Sequence, residues 1–156
     1  MATNSKREQI LVAVVNNIED IPAISVVKRM RPAFADLESV AHTEIPLVAV
    51  VGKLPAPVQK RSGRQTGIID KFLSDLEVEL YCYALENVEP DTKVSDLSDD
   101  LWSKLYSDPT LITDAYPKGL ALWLNIRPEV QVGFWDPYIV FKMICTYQYV
   151  HDTGGI

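Results

Sequence analysis

The residues PYIVFKMICTYQYV, which run from Pro137 to Val150, decide the fold that this sequence predicts. The odd-numbered positions from 139 to 149 are all apolar or aromatic, whereas the even-numbered ones include Lys142, Thr146 and Gln148. Successive side chains of a strand point to opposite faces, so this alternation predicts a strand with one face in the core. The run is longer than a usual strand of about 5 to 6 residues, and we expect it to lie centrally in a sheet.

A second alternating run precedes it in the chain and is its expected antiparallel partner. One face of this run is apolar and consists of Leu76, Val78, Leu80, Cys82 and Ala84. The other face is mixed and consists of Glu77, Glu79, Tyr81 and Tyr83. We expect the apolar faces of both runs to share one core, with Phe141 and Tyr147 buried against this second strand and the first helix.

Two helices are predicted from capping signals and apolar stripes. Ser5 and Glu8 form a capping box ahead of a helix over residues 6–18. Ser95 is the expected cap of a second helix over residues 96–106. The acidic residues expected at the positive end of that helix are Asp96, Asp99 and Asp100.

Three further strands are predicted over residues 23–30, 45–51 and 120–126. The run 45–51 is almost entirely apolar, which is typical of a strand covered on both faces. Pro128 is expected to end the last of these strands, and residues 129–136 form a hairpin loop or a short returning strand. Helices do not alternate with strands, so the predicted class is α+β: a mixed, mainly antiparallel sheet of about four to five strands with two helices packed on one face.

Three segments carry weaker patterns. Residues 31–42 fit either a helical turn or a packed loop. Residues 53–67 are rich in proline, glycine and basic side chains and predict a mobile basic loop. Residues 152–156 are expected to be a flexible tail.

Composition predicts one soluble domain spanning residues 1–156. The chain is 47% hydrophobic and 23% charged, as is usual for a globular protein. Its net charge of −6 and pI near 4.9 argue against a general nucleic-acid binder. A passage through which DNA slides without sticking would, however, benefit from such repulsion.

We expect the protein to stay in the cytosol. The polar start, Met1–Arg7, lacks the apolar core of a secretory signal, and no apolar run reaches the ~18 residues of a membrane span. The only two cysteines, Cys82 and Cys145, fall on inward faces of predicted strands. They are therefore interpreted as buried reduced thiols rather than as a disulfide.

No signature of catalysis is visible, and we expect no enzymatic activity, cofactor or metal site. His42 and His151 are the only histidines, and neither lies in a nucleophile or zinc pattern. Gly52 and Lys53 lack the flanking residues of a phosphate loop. A carboxylate pair of the glycosidase kind is a minor alternative that the sequence leaves open.

The features that do point to a function suggest assembly. The basic segment is either a solvated surface loop or an arm that binds an acidic neighbour. Aromatic residues on the second face of a sheet also mark protein interfaces. The aromatic residues on outward or ambiguous faces are Tyr81, Tyr83, Trp123, Trp135 and Tyr138.

The order of these elements resembles that of tail terminator (tail completion) proteins of tailed bacteriophages. The likeness covers nearly the whole chain, from the first helix to the final aromatic strand at Tyr147–Tyr149. Its most specific residues follow the second helix and read Ser107-Asp108-Pro109-Thr110-Leu111. Where such proteins usually continue with glycine, this chain has Ile112 and Thr113.

This resemblance implies a structural virion protein that is assembled in the host cytoplasm. Such a subunit forms a hexameric ring at the head-proximal end of the tail tube, ends tube and sheath growth, and faces the head connector or neck. The implied partners are further copies of the chain, the tube protein, the connector and, in contractile tails, the sheath. DNA passes through the ring without specific binding.

A closed head-to-tail ring requires two different complementary patches on each subunit. We predict that the basic loop of one subunit meets the acidic second face of the next. The residues assigned to this subunit interface are Lys60, Arg61, Arg64, Glu77, Glu79, Tyr81, Tyr83 and Trp135. The alternatives are a neighbouring neck or tail-tube protein, a small adaptor without a ring, and, less favoured, a small cytosolic enzyme.

Overall fold

A computed structural model describes residues 5–30, 45–53, 60–61, 72–85, 90–135 and 138–151 of the chain. The helices of this part are α1 (Lys6–Glu19) and α2 (Pro90–Ser107). Its strands are β1 (Val26–Lys28), β2 (Leu47–Gly52), β3 (Lys60–Arg61), β4 (Phe72–Leu85), β5 (Trp123–Trp135) and β6 (Tyr138–His151). The predicted segment 31–42 and the tail 152–156 lie outside the described residues.

The strands form one mixed sheet in the order β1-β2-β4-β6-β5, with β3 beside the beginning of β4. The pair β1 and β2 is parallel, and every other pair is antiparallel. The predicted α+β class and the mixed, mainly antiparallel sheet are therefore confirmed.

The two alternating runs are the longest pair of the sheet, as predicted. Strand β6 lies inside the sheet between β4 and β5. Its register with β4 places Cys145 opposite Val78 and Phe141 opposite Cys82. All odd-numbered positions of β6 from 139 to 149 are buried, which confirms its inward face.

Both helices bury their apolar stripes against the same face of the sheet. The Glu8 backbone N–H donates to Ser5 Oγ at 3.2 Å, so the predicted cap of α1 is present. The buried residues of the helices are Ile10, Leu11, Val14, Ile18, Leu97, Leu101 and Leu105. They share one core cluster with the strand residues Leu76, Val78, Leu80, Phe141 and Tyr147. The predicted packing of Phe141 and Tyr147 is confirmed.

Gly52 permits α1 to lie close to the end of β2. A Cβ atom added at this position would lie 2.9 Å from Arg7 Nη2 and 2.9 Å from Leu11 Cδ1. The guanidinium of Arg7 donates to the Gly52 carbonyl at 3.1 Å. A side chain here would force the ends of the Arg7 and Leu11 side chains to shift.

Strand β2 is covered on both faces, as its continuous apolar run predicted. Val48 and Val50 belong to the helix-side cluster, whereas Leu47 and Ala49 belong to a second cluster on the opposite face. The buried members of this second cluster among the described residues are Ile45, Leu47, Ala49, Tyr81, Tyr83 and Val140.

The predicted start of the second helix is wrong. Helix α2 begins at Pro90 rather than at residue 96, and Ser95 lies inside it, where its carbonyl accepts the Ser98 hydroxyl at 3.2 Å. The fixed φ and missing N–H of proline suit the first position of a helix, and Pro90 occupies that position here.

Two strand boundaries also differ from the prediction. Strand β1 keeps only three residues of the predicted run 23–30. Strand β5 continues through Pro128 to Trp135, with register shifts between Arg127 and Val130 and between Gln131 and Gly133. An edge strand tolerates proline, and bulges absorb the broken pairing, so Pro128 does not end β5.

Candidate assembly surfaces

The face of the sheet opposite the helices divides into two parts. Its apolar half is the second cluster described above, and it is buried. Its polar half consists of neighbouring side chains on β4, β6 and β5, namely Asp75, Glu77, Thr146, Gln148, Trp123, Asn125 and Arg127. Burial of the polar half is partial, and Trp123 remains 41% exposed.

Glu77 is the centre of an ion-pair network in the polar half. Arg127 Nη2 donates to Glu77 Oε1 at 2.6 Å, and Lys53 Nζ lies 3.6 Å from Glu77 Oε2. The Glu77 side chain is 30% exposed, while those of Arg127 and Lys53 are 52% and 61% exposed. The carboxylate of Glu77 is therefore already neutralised within its own subunit.

Gln148 joins the three strands of the polar half. Its Oε1 accepts the indole N–H of Trp123 at 2.7 Å, and its Nε2 donates to Asp75 Oδ1 at 3.2 Å. The bond to Gln148 restricts the position of the exposed Trp123 side chain. Exposed, oriented tryptophan is a common anchor of protein interfaces.

Two of the predicted interface residues are buried instead. Tyr81 and Tyr83 are 8% and 1% exposed and pack in the apolar half with Leu47 and Val140. The Tyr81 hydroxyl donates to the Glu79 carboxylate, and Lys142 Nζ lies 5.7 Å from the Tyr81 ring centroid. Their alternation placed them on the second face correctly, but that face is covered at this point within a single subunit.

The basic members of the predicted interface lie elsewhere. Lys60 and Arg61 form β3 and pair with Leu73 and Phe72 at the beginning of β4, so these two residues of the predicted loop belong to the sheet. Trp135 ends β5 opposite Tyr138. Arg64 lies outside the described residues. The structure thus groups Glu77, Glu79, Tyr81 and Tyr83 on one face of β4, and the register places Lys60 opposite Leu73 of the same strand.

A cavity of about 210 Å³, here called the acidic groove, opens between α2, the end of β4 and the residues that precede β1 and β2. It is lined by Ala23, Ile45, Pro46, Ala84, Asp96, Leu97 and Asp100. A wider open cavity of about 640 Å³ adjoins it and shares Ala23 and Asp100. In this wider part, Lys104 Nζ lies 3.9 Å from Asp20 Oδ2.

Sequence reasoning missed the acidic groove because it assigned Asp96 and Asp100 to the helix N-terminus. The helix begins at Pro90, more than one turn earlier, and the helix dipole acts mainly within the first turn. The spacing of four residues is the signal that would have placed both carboxylates on one side of the helix.

The buried titratable groups are part of the core rather than of a reactive site. Cys82 and Cys145 are free thiols, as predicted, and burial raises the pKa of Cys145 to about 12 and that of Cys82 in the same direction. Burial likewise raises the pKa of the Tyr147 hydroxyl. A thiol with such a pKa remains protonated at neutral pH and is a poor nucleophile.

Few other residues in the described ranges are candidates for catalysis or metal binding. His151 ends β6 opposite Phe72, and His42 lies outside these ranges. No group of three or more His, Cys, Asp or Glu side chains suited to a metal ion occurs among the residues that the structure describes. In the same residues, neither helix combines the length and apolar character needed to cross a membrane.

Comparison with known proteins does not assign a family, since no protein-family model matches the chain and no curated protein sequence matches it. The fold, the order of its elements and the surfaces described above are therefore the basis for inferring function.

Proposed function

We propose that this protein is a tail terminator of a tailed bacteriophage. In this proposal it is a structural virion protein that forms a ring, most simply a hexamer, at the head-proximal end of the tail tube. The ring ends tube growth and joins the tail to the head connector or neck, and to the sheath where the tail is contractile. It has no catalytic role and no cofactor.

The observation that carries the proposal is the order of elements together with the turn that follows α2. Within the described residues, that order is a capped first helix, a proline-flanked strand covered on both faces, the β4 strand, a second helix and a final aromatic strand. The turn Ser107–Leu111 follows the second helix at the same place as in the resemblance.

The turn has a structural task that explains its residues. Asp108 Oδ1 accepts the Ile112 backbone N–H at 3.1 Å, and Leu111 takes a positive φ of 55° while its side chain is buried. The Leu111 and Thr110 carbonyls then accept the Leu120 and Ala121 backbone N–H groups. The turn thereby ties the end of α2 to the chain that enters β5.

Gly119 completes this connection. Its φ of +100° is strained for other residues, and a Cβ atom there would lie 2.4 Å from the Thr110 carbonyl oxygen. Two residues around the turn, Leu111 and Gly119, therefore have the positive φ that glycine adopts most easily.

Charge also supports a DNA-conducting ring. The subunit carries a net charge of −6, so a closed ring of copies would repel a DNA backbone that passes through it. Proteins that bind DNA without sequence preference instead need a basic surface to release counterions. An acidic ring therefore fits passage better than binding.

Electron microscopy of particles assembled without this protein tests the proposal. We expect tails of uncontrolled length that are not joined to heads, and normal tails after the purified protein is supplied. Tails of normal length that merely fail to join heads would identify a neck protein, and a complete lack of tails would identify a tube protein. Normal particles would overturn the proposal.

A further inference from the structure

Strand β5 forms one edge of the sheet, and an edge strand can accept a further strand from another chain. It pairs with β6 on one side and with no other described strand. The unpaired N–H and C=O groups of such an edge are a template for a second copy, so natural proteins blunt their edges. The opposite end of the described sheet order is β1, which is blunted by its length of only three residues.

The second half of β5 is blunted by its own backbone. Pro128 has no N–H to offer to an added strand. Two register shifts that follow Arg127 interrupt the regular pairing with β6. Bulges of this kind increase the twist of an edge and oppose further pairing. The part of β5 that keeps a regular edge is therefore 123–127.

A side chain from α2 closes this regular part. The Tyr106 hydroxyl accepts the Ile126 backbone N–H at 3.3 Å. Because this N–H bonds to α2, it belongs to the outward-facing groups of β5, which alternate along the strand with those bonded to β6. Ile126 is only 4% exposed, so its N–H would be costly to leave without an acceptor. The hydroxyl thus occupies the donor that an added strand would use.

Burial in the core does not explain the position of Tyr106. Trp102 lies one turn earlier on α2, and its ring centroid is 5.3 Å from that of Tyr106. Both rings are more than a third exposed, although large aromatic side chains gain most when they are buried. The buried stripe of this part of α2 is supplied instead by Leu101 and Leu105. The contact that Tyr106 makes with β5 is therefore the feature that its position serves.

We propose that Tyr106 guards the regular part of β5 against the addition of a strand from a second copy of the chain. While its hydroxyl accepts the Ile126 N–H, an incoming carbonyl has to displace that bond before it can pair with the edge. Such a guard acts on the free chain, so it does not depend on the proposed tail function. A subunit with both edges blunted would contact its neighbours through side chains rather than through a shared sheet.

The strand best suited to add to an unguarded β5 is the same strand of the second copy. Antiparallel self-pairing about Asn125 sets Ile126 opposite Leu124, so the outward-facing backbone groups of the two copies meet. It also sets Arg127 opposite Trp123 and not opposite a like charge. Asn125 then faces its own counterpart in a pair without backbone hydrogen bonds, where the Cα atoms are about 4.5 Å apart.

A cysteine at the centre of this pairing reports strand addition directly. Two cysteines at such a separation can form a disulfide, and the buried native thiols do not compete. Under mild oxidation, Tyr106→Phe/Asn125→Cys protein should form disulfide-linked dimers about tenfold faster than Asn125→Cys protein, because its Ile126 N–H has lost its acceptor. Equal rates with and without the Tyr106 hydroxyl would overturn the inference, whether both proteins cross-link or neither does.

Tyr147→Phe is the matched control for the lost hydroxyl. It removes the same atom from a buried tyrosine whose hydroxyl has no hydrogen-bond partner among the described residues. Tyr147→Phe/Asn125→Cys protein should therefore cross-link as slowly as Asn125→Cys protein. Trp123→Cys in the Tyr106→Phe background controls for register, since self-pairing about Asn125 keeps the two thiols apart. Fast cross-linking in either control would show unspecific contact and would overturn the inference.

Hydrogen exchange tests the guard without dimer formation. At low protein concentration, the Ile126 amide should exchange faster in Tyr106→Phe protein than in the unmodified chain or in Tyr147→Phe protein. Unchanged protection of Ile126 would mean that the Tyr106 hydroxyl does not hold this N–H, and the guard would be wrong. None of these measurements involves phage tails, so their failure leaves the terminator proposal standing, and failure of that proposal does not affect them.

Discussion

The two faces of the central sheet are held in different ways. On the helix-covered face, α1 and α2 share one core cluster with the inward side chains of β6 from Phe141 to Tyr149 and of β4 from Leu76 to Cys82. On the second face only the half around Tyr83 and Val140 is buried, and the cluster there contains no residue of either helix. The other half is open and is held by hydrogen bonds and ion pairs such as that between Glu77 and Arg127.

This difference shows that alternation along a strand defines two faces without defining what covers them. The helix-covered face gains stability from buried apolar area, at about 25 cal/mol per Å². The open half of the second face relies on exposed ion pairs worth about 0 to 1 kcal/mol each. It is therefore better suited to recognition than to holding the fold together.

The largest effect is expected from a cavity in the helix-covered face. Phe141 is 1% exposed and lies in the main core cluster, so Phe141→Ala should lower the free energy of unfolding by about 3 to 5 kcal/mol. Denaturant titration measures this loss. A change below about 1 kcal/mol would mean that this face is not the packed core.

A smaller but clear effect is expected in the apolar half of the second face. Val140 is fully buried there, and Val140→Ala should cost about 2 kcal/mol through lost burial and a small cavity. Asn125→Ala, in the exposed polar half, is the matched control and should change stability by no more than about 0.5 kcal/mol. An equal loss of stability in the two variants would contradict the division of this face into a buried half and an exposed half.

The open half itself should contribute little to stability. A double-mutant cycle of Glu77→Ala and Arg127→Ala should give a coupling of about 0.2 to 1 kcal/mol, since both side chains are substantially exposed. The coupling should fall further in high salt because exposed charges are screened. A coupling of several kcal/mol that does not change with salt would show that this half contributes substantially to the stability of the fold.

The smallest effect concerns the surface pair that links α1 to the residues after β1. The pKa of Glu8 is lowered, first by its hydrogen bond from Arg29 at 2.7 Å, and also by the charges of Arg29 and Arg7. A lowered folded-state pKa stabilises the protein above the unfolded value of 4.5, and that stabilisation is lost as pH falls through the folded value.

The unmodified chain should therefore exceed Glu8→Gln in stability at pH 7, and the difference should shrink as pH falls below 4.5 and disappear below the lowered folded-state pKa of Glu8. Because both side chains are more than a third exposed, we expect less than about 0.5 kcal/mol. Urea titrations of both proteins across this range measure it. A difference that grows toward acid would contradict the assignment.

Much of the fold was predictable because its signals are local. The β6 and β4 alternation, the Ser5 cap and the doubly covered β2 run all appear in the structure as expected. The start of α2 was not predictable in the same way, because a proline suits both a link and the first turn of a helix. The extension of β5 past Pro128 depends on its position at the sheet edge, which no local pattern reveals.

The candidate surfaces were predicted only in part. Glu77 and Glu79 were placed on the correct face, but Glu77 proved to be paired with Arg127, which lies 50 residues away in sequence. Tyr81 and Tyr83 were expected at an interface and are buried in a second cluster. The acidic groove was missed, because it is formed where α2, β4 and the residues before β1 and β2 meet.

The sequence by itself determined which side chains share a face, where α1 begins, and that both cysteines are buried, because each of these follows from spacing along the chain. The tertiary structure alone decided which parts of the second face are covered and which carboxylates keep a partner. Those properties depend on contacts between residues far apart in sequence. For example, residues distant in sequence bury Tyr83, and no ion pair of Asp100 occurs among the residues that the structure describes.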